Sequence, residues 1–268
     1  MKRLESALAA CVVGLACFIG GQEIGVRRAT ARQVSTGAIA DRHSADSTRD
    51  VATGSDEAFG TAVPEMRVRD GGRSGKPRMS SLDMRRQLAQ GAGDTYIDDL
   101  ITARDSAVIR WPDRVMHPLR VWIAEDGSLG GWNPDFVPAI RDAFDTWAQT
   151  GIPVHFTFVI DSASADVHVR FVDRFVNGIS GKTVWSRDNG WWLISSDIQI
   201  ALAHPGGGTV SPPQIRAIAL HEVGHLLGMD HAAAPDHIMS ARIRVRELTD
   251  ADRATVRLLY SIPAGTLR

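Results

Sequence analysis

The run from residue 221 to residue 231 constrains this chain most strongly, and it reads H-E-V-G-H-L-L-G-M-D-H. Side chains four residues apart share one face of a helix, so the imidazoles of His221 and His225 can reach a common point. Gly228 can take the left-handed backbone conformation that ends a helix. We therefore predict a helix that ends near residue 227, followed by a turn that brings His231 back to the other two imidazoles.

Three convergent imidazoles are typical of a catalytic zinc site, because they leave one coordination position open for water. Glu222 follows the first histidine, where its carboxylate can flank a metal without displacing a ligand. A solvated helix face that carries two histidines explains the pattern poorly, since Gly228 and His231 also stand at the required spacing. A zinc site without catalysis is the stronger alternative.

The pattern H-E-x-x-H-x-x-G-x-x-H is the signature of the metzincin metallopeptidases, and residues 221–231 resemble it at every fixed position. Residues 238–240 (Ile-Met-Ser) resemble the methionine turn of that clan, and residues 248–260 resemble the closing helix of the matrixins. Residues 165–167 resemble the start of their third strand. The resemblance covers residues 96–260 and favours a matrixin-like peptidase of the bacterial type, similar to peptidase family M10.

This resemblance implies an α+β fold with a twisted mixed sheet, an active-site helix, a backing helix and a C-terminal helix. It also implies a zinc-dependent metalloendopeptidase with one catalytic Zn²⁺ held by His221, His225 and His231. Glu222 would be the general base that takes the proton of a zinc-activated water and passes it to the leaving amine. Met239 and Gly228 would support the site without binding the metal.

Three other functions stand beside this interpretation. The chain could be a zinc-binding interaction protein of the same fold without turnover, or a zinc hydrolase that does not act on peptides. It could also be a peptidase that cleaves only its own chain, within residues 22–80. The expected partner is a protein or peptide substrate, and the expected assembly state is a monomer.

The chain departs from the matrixin pattern at several positions. Ala232 follows the third histidine, where matrixins usually carry serine. Residues 173–194 contain no histidine, so we expect no second, structural zinc. For Asp166 we favour an ordinary exposed strand residue over a calcium ligand, and Ca²⁺ is not expected.

A peptide substrate would lie extended along an edge strand near residues 182–187. The wall of the pocket beyond the scissile bond is expected from residues 240–247. Three arginines make that segment basic, and we favour solvated side chains for all of them: Arg242, Arg244 and Arg246.

Hydrophobic periodicity predicts the elements that surround the motif. Alternating apolar residues indicate strands over residues 119–123, 154–160, 165–171, 182–185 and 198–202. Helical spacing and capping signals indicate helices near residues 96–101, 136–147, 212–227 and 249–260.

Composition excludes several classes of protein. The formal net charge of the 268 residues is −1, so no basic excess indicates a nucleic-acid partner. The two cysteines, Cys11 and Cys17, lie in one apolar stretch near the N-terminus. The rest of the chain therefore has neither a disulfide nor a thiolate metal site.

Residues 1–21 begin with Lys2 and Arg3 and continue as a short apolar run, which favours an export signal over an uncleaved anchor. Residues 22–80 are poor in large apolar side chains, and we expect a flexible, low-complexity spacer. Residues 81–268 would form the catalytic domain, with its core at 95–262. The protein would then be secreted, periplasmic or tethered to the outer face of a membrane by its N-terminal segment.

Latency is the last question that the sequence raises. Residues 73–77 faintly resemble the propeptide segment of animal matrixins, but Ser74 stands where that segment has its zinc-binding cysteine. A serine hydroxyl stays protonated near neutral pH and binds zinc poorly beside a thiolate. We therefore hypothesise that the chain has no thiol switch and that residues 22–80 are a tether rather than an inhibitor.

Overall fold

The structure is a computed structural model, and it describes residues 65–69, 78–125, 127–204 and 206–268. The predictions for the N-terminal signal, for most of the spacer and for Ser74 lie outside these residues. Within the described ranges, no helix has both the length and the apolar character needed to cross a bilayer.

Strands and short helices alternate along the chain and are followed by two longer helices. In chain order the elements are β1 (Glu65–Val68), α1 (Ser81–Gly91), α2 (Ile97–Ala103), β2 (Ala107–Val108), β3 (Arg114–Ile123), α3 (Phe136–Ala148), β4 (Val154–Phe158), β5 (Val167–Val172), β6 (Gly181–Arg187), β7 (Leu193–Ala201), α4 (Pro212–Leu226), α5 (Asp250–Ser261) and β8 (Gly265–Thr266). The periodicity of the sequence predicted β3 to β7 and α2 to α5, with shifts only at their boundaries.

Six of the strands form one mixed sheet in the order β1-β6-β7-β5-β3-β4. The strands β3, β4, β5 and β7 run parallel to one another, whereas β6 runs antiparallel to β7. The remaining strands, β2 and β8, pair antiparallel with each other. The predicted α+β fold with a mixed sheet is therefore confirmed.

Two helices pack together to form the apolar core beside the sheet. The backing helix α3 buries Phe136, Ile140, Phe144 and Trp147 on one face. Its partner α4 is buried at every residue from 217 to 226. This burial on all sides explains why its sequence does not separate into an apolar and a polar face. The indole nitrogen of Trp147 donates to the carbonyl oxygen of residue 220 at 2.8 Å, so a buried polar contact fixes the two helices to each other.

Buried side chains extend beyond the predicted core range of residues 95–262 at both ends. Met84 and Leu88 of α1 are buried, and so is Leu267 after β8. The apolar face of α1 packs against α5, so close that a Cβ added at Gly91 would lie 2.5 Å from Leu258 Cδ1. Because these side chains complete the core, the catalytic domain includes residues 81–94 and 263–268.

The spacer prediction is also wrong for residues 65–68, which form β1. This strand pairs parallel with β6 in the register Glu65 to Val184 through Val68 to Arg187. All four of its side chains are exposed. Backbone pairing to an available sheet edge orders the segment. Because it has no hydrophobic face, its sequence pattern did not indicate a strand.

Candidate metal centre

The helix α4 carries the first two histidines and stops where the motif requires. At its start, Gln214 Oε1 accepts a hydrogen bond from the Ser211 amide at 2.8 Å, one half of the predicted capping box. At its end, Gly228 has φ of +96°, and a Cβ there would lie only 2.1 Å from the carbonyl oxygen of Ile109. Only glycine fits this turn, which returns the chain so that His231 faces the helix.

The three histidines converge on one point. The Nε2 atom of His225 lies 3.1 Å from Nε2 of His221 and 3.2 Å from Nε2 of His231. The outer nitrogens of two rings face backbone carbonyls: Nδ1 of His221 lies 2.7 Å from Ile238 O, and Nδ1 of His225 lies 3.0 Å from Met229 O. A carbonyl can only accept, so both Nδ1 atoms donate and both Nε2 atoms are left as acceptors that could bind a metal.

Burial keeps these imidazoles neutral. Desolvation, followed by the neighbouring charge of His231, lowers the pKa of His221 to about 4. Desolvation is also the first cause that lowers the pKa values of His225 and His231. Neutral imidazole is the form that binds a metal, and three neutral imidazoles that converge, two of them with their Nε2 atoms as acceptors, fit a zinc ion. The predicted ligand set is thus brought together by the fold.

Glu222 lies fully buried beside this cluster. Its Oε2 accepts a hydrogen bond from the Thr183 hydroxyl at 2.6 Å, whereas its Oε1 has no partner among the described residues. Desolvation raises the pKa of the Glu222 carboxyl to about 8, against a lowering by Thr183. A dication at the three imidazoles would oppose that rise, because an opposite charge favours the carboxylate.

A glycine that the sequence analysis did not single out makes room for this carboxylate. A Cβ added at Gly181, the first residue of β6, would lie 2.3 Å from Glu222 Oε1. Sequence reasoning missed both Gly181 and Thr183, because nothing in the sequence places β6 against residue 222.

Met239 forms an apolar floor beneath the helix. Its side chain is fully buried, and a Cβ added at Gly224 would lie 2.2 Å from its sulfur. The thioether therefore packs directly against α4 between the first two histidines, where the x-x positions of the motif need a small residue. The supporting roles of Met239 and Gly228 remain predictions, and these contacts are the ones through which Met239 would act.

Asp252 fixes the turn that carries Met239. The Asp252 carboxylate accepts hydrogen bonds from the Ile238 amide at 3.1 Å and from the Tyr96 hydroxyl at 2.6 Å. It also accepts from the Thr249 amide at the start of α5. Sequence reasoning recognised the start of this helix but not this link. The available signal was the spacing of a capping threonine and an acidic residue three positions later.

Asp166 lies one position before β5 and is half-buried, so it is not the exposed strand residue that was expected. Asp166 accepts from the Arg120 amide and guanidinium at 2.9 to 3.2 Å, so its carboxylate has a side-chain partner other than a metal. The three arginines of the basic loop are exposed, in agreement with the solvated interpretation: Arg242, Arg244 and Arg246.

The strand β6 borders the centre through Gly181 and Thr183, and its outer edge pairs with β1. The Arg69 amide continues this pairing by donating to the Arg187 carbonyl at 2.9 Å. Lys182 Nζ also lies 2.6 Å from a carboxylate oxygen of Glu65. Residues 65–69, part of the predicted tether, therefore occupy the edge on which a substrate was expected to lie.

Comparison with known proteins gives two similarities. Residues 173–261 match the Matrixin family, peptidase M10, a segment that includes β6, β7, the metal centre and α5. The protein Metalloendoproteinase 1-MMP of Arabidopsis thaliana is 28% identical over 146 residues, which cover 47% of this chain and 38% of that protein. This chain thus aligns with well under half the length of that relative. Together with the fold and the three converging imidazoles, these similarities support a matrixin-like metallopeptidase.

Proposed function

We propose that this protein is a zinc-dependent metalloendopeptidase that hydrolyses peptide bonds within extended protein or peptide segments. One observation carries the proposal: a buried carboxylate with an unpartnered oxygen adjoins three imidazoles whose Nε2 atoms converge. A structural zinc site needs no such carboxylate, because it closes its coordination shell with protein ligands. The similarity to a metalloendoproteinase supports the same conclusion.

The chain's own residues have separate roles in this reaction. His221, His225 and His231 would hold the zinc through their Nε2 atoms. A zinc ion supplies Lewis-acid activation of a water molecule and of the substrate carbonyl. Glu222 takes a proton from the attacking water and later donates it to the leaving amine. The hydrogen bond from Thr183 to Oε2 fixes the carboxylate so that Oε1 remains the reactive oxygen.

An extended substrate would pair with the outer edge of β6. The pairing of β1 with this edge supports the proposal, because it demonstrates that the edge accepts a strand through backbone hydrogen bonds. The exposed arginines of residues 240–247 would then lie beyond the scissile bond. A substrate must displace β1 or arrive after its removal, so a peptidase with β1 in place would act slowly on added peptides.

The test compares the wild-type protein with Glu222→Gln, which keeps the size of the side chain and removes the base. We expect one zinc per chain in both proteins and a loss of peptide hydrolysis of at least about 100-fold in the variant. Glu125→Gln is the matched control, because Glu125 is exposed and lies outside the centre. Zinc would be counted by elemental analysis, and hydrolysis by release of new amino groups from a denatured protein.

Two outcomes would contradict the proposal. Wild-type turnover in Glu222→Gln would refute the role of the base. Tight zinc binding without turnover on any peptide, including by a form that begins at Arg78 and lacks β1, would favour the interaction protein instead.

Export, a monomeric state and attachment to a membrane only through residues 1–21 also belong to this proposal. Cell fractionation would test the first, and sedimentation of the purified chain would test the second.

A further inference from the structure

We propose that Arg104 is a positioning residue that holds the segment of the third metal ligand in its binding conformation. The inference rests on the zinc site proposed above and adds a residue outside the segment that matches the Matrixin family. Arg104 follows α2 directly in the chain, 117 positions before the first histidine of the motif, and its side chain is 7% exposed.

The guanidinium contacts both residues that precede the third ligand. Its Nε lies 3.0 Å from Asp230 Oδ2, and its Nη2 donates to the Met229 carbonyl at 2.8 Å. The same Met229 oxygen is the partner of His225 Nδ1 at 3.0 Å. The other oxygen of Asp230 accepts from the His231 amide at 2.8 Å. Arg104 is thus linked to two of the three histidines, in each case through one intervening residue.

Arg104 also connects this segment to the strand that borders the centre. Its Cζ lies 5.0 Å from the ring centroid of Trp185 on β6, within the range of a cation–π contact. Trp185 is buried, so the ring gives the guanidinium a fixed, dry surface. The arginine therefore ties the loop after Gly228 to β6.

The chemistry explains why an arginine stands here. A planar guanidinium presents several donors in a fixed fork and stacks on an aromatic face, whereas a lysine offers one point charge. The Arg104 fork reaches a carboxylate and a carbonyl of neighbouring residues while stacking on a tryptophan. Without it, Asp230 loses its cation, and the Met229 carbonyl that orients His225 loses a donor. Groups that orient metal ligands typically change metal affinity by about 10- to 100-fold when they are mutated.

Electrostatics alone predicts the opposite result, which makes the test decisive. A cation near a zinc site repels the zinc ion, so removing only its charge would tighten metal binding. A positioning role predicts weaker binding when Arg104 is replaced. The direction of the change in zinc affinity therefore separates the two explanations.

The experiment uses the full chain as wild type, Arg104→Gln, Arg104→Lys and Arg110→Gln. Arg110 is the matched control, because it is also buried, pairs with Asp113 and lies over the rings of Trp192 and Tyr260. It makes no contact with residues 229–231 in the described hydrogen bonds. Zinc dissociation constants would come from competition with a chromophoric chelator, and ligand geometry from the visible absorption spectrum of the cobalt-substituted protein.

We expect zinc binding about 10- to 100-fold weaker in Arg104→Gln, with an altered cobalt spectrum, and an intermediate loss in Arg104→Lys. Arg110→Gln should keep the wild-type zinc affinity and spectrum even if its thermal midpoint falls. Equal or tighter zinc binding in Arg104→Gln would overturn the role of Arg104. If that variant does not fold, unchanged zinc affinity in Arg104→Lys overturns it. A wild-type chain that binds no zinc would instead overturn the proposed function.

Discussion

Replacing Gly181 with alanine tests whether the position of Glu222 controls the reaction. The added Cβ would lie 2.3 Å from Glu222 Oε1, 2.7 Å from Cδ and 2.9 Å from Cγ, whereas ordinary contacts begin near 3.4 Å. The carboxylate must therefore move by about 1 Å to reach an ordinary contact distance. It cannot simply rotate away, because its other oxygen is held by Thr183 and the residue is fully buried.

The size of the effect follows from this displacement. A misplacement of about 1 Å in a reacting group can lower a rate by about 100-fold, which corresponds to about 2.7 kcal/mol in the activation free energy. We expect Gly181→Ala to lower kcat by about that factor, with zinc stoichiometry unchanged because no imidazole is touched. The assay is steady-state hydrolysis of one peptide, with zinc counted on the same sample.

Gly130→Ala is the control for this experiment. Gly130 has no heavy atom within 4 Å of the added Cβ and no left-handed backbone, so its variant should keep the wild-type kcat. A thermal melt of both variants separates lost activity from lost folding. If Gly181→Ala is folded, binds zinc and has a kcat within about threefold of wild type, the exact placement of Glu222 does not limit the reaction.

Three further predictions follow from the centre and its borders. Met239→Leu conserves the volume of the floor and should lower the free energy of unfolding by less than about 1.5 kcal/mol in urea titrations, with one zinc still bound; a sulfur–zinc bond in X-ray absorption would contradict this. A form that begins at Arg78 lacks β1 and should hydrolyse peptides faster than residues 22–268 from the first turnover. Equal rates would support the hypothesis that residues 22–80 are a tether rather than an inhibitor. In metal-free Glu222→Gln, residue 222 cannot titrate, and the lowered pKa of His221 means that the unfolded state binds an extra proton more readily than the folded state. Stability should therefore be full above about pH 6.5 and fall towards pH 4, by about 3 kcal/mol from His221 alone, with His225 and His231 adding to the fall. An unfolding free energy that stays flat over this range would show that these imidazoles are not buried.

The convergence of the three histidines could be predicted from the sequence because they lie close together in the chain. His221, His225 and His231 belong to one helix and one turn, and local backbone geometry alone brings them together. The role of Gly228 in ending the helix could be predicted for the same reason. The close approach of the Ile109 carbonyl oxygen, which excludes a Cβ at residue 228, could not be predicted. The supporting role of Met239 was predicted only from the family resemblance, because nothing in the local sequence places a thioether under residue 224.

The contacts that support the centre were missed because they join distant parts of the chain. Arg104 reaches Asp230 across 126 positions, and Tyr96 reaches Asp252 across 156 positions. Such pairs depend on how the elements pack, which periodicity does not encode. β1 was missed for a different reason: its side chains are all exposed, so it is held on the sheet by backbone pairing and surface contacts such as Lys182–Glu65 rather than by an apolar face.

The position of Asp252 has a consequence for the order in which the protein can mature. Synthesis proceeds from the N-terminus, so all three histidines leave the ribosome before the carboxylate that fastens the turn of Met239. Asp252 follows His231 by 21 positions in the chain. Until α5 docks, the Ile238 amide and the Tyr96 hydroxyl lack their acceptor. A nascent chain therefore carries the three histidines before it carries the carboxylate that fastens the turn beneath them, and the docking of α5 completes the arrangement.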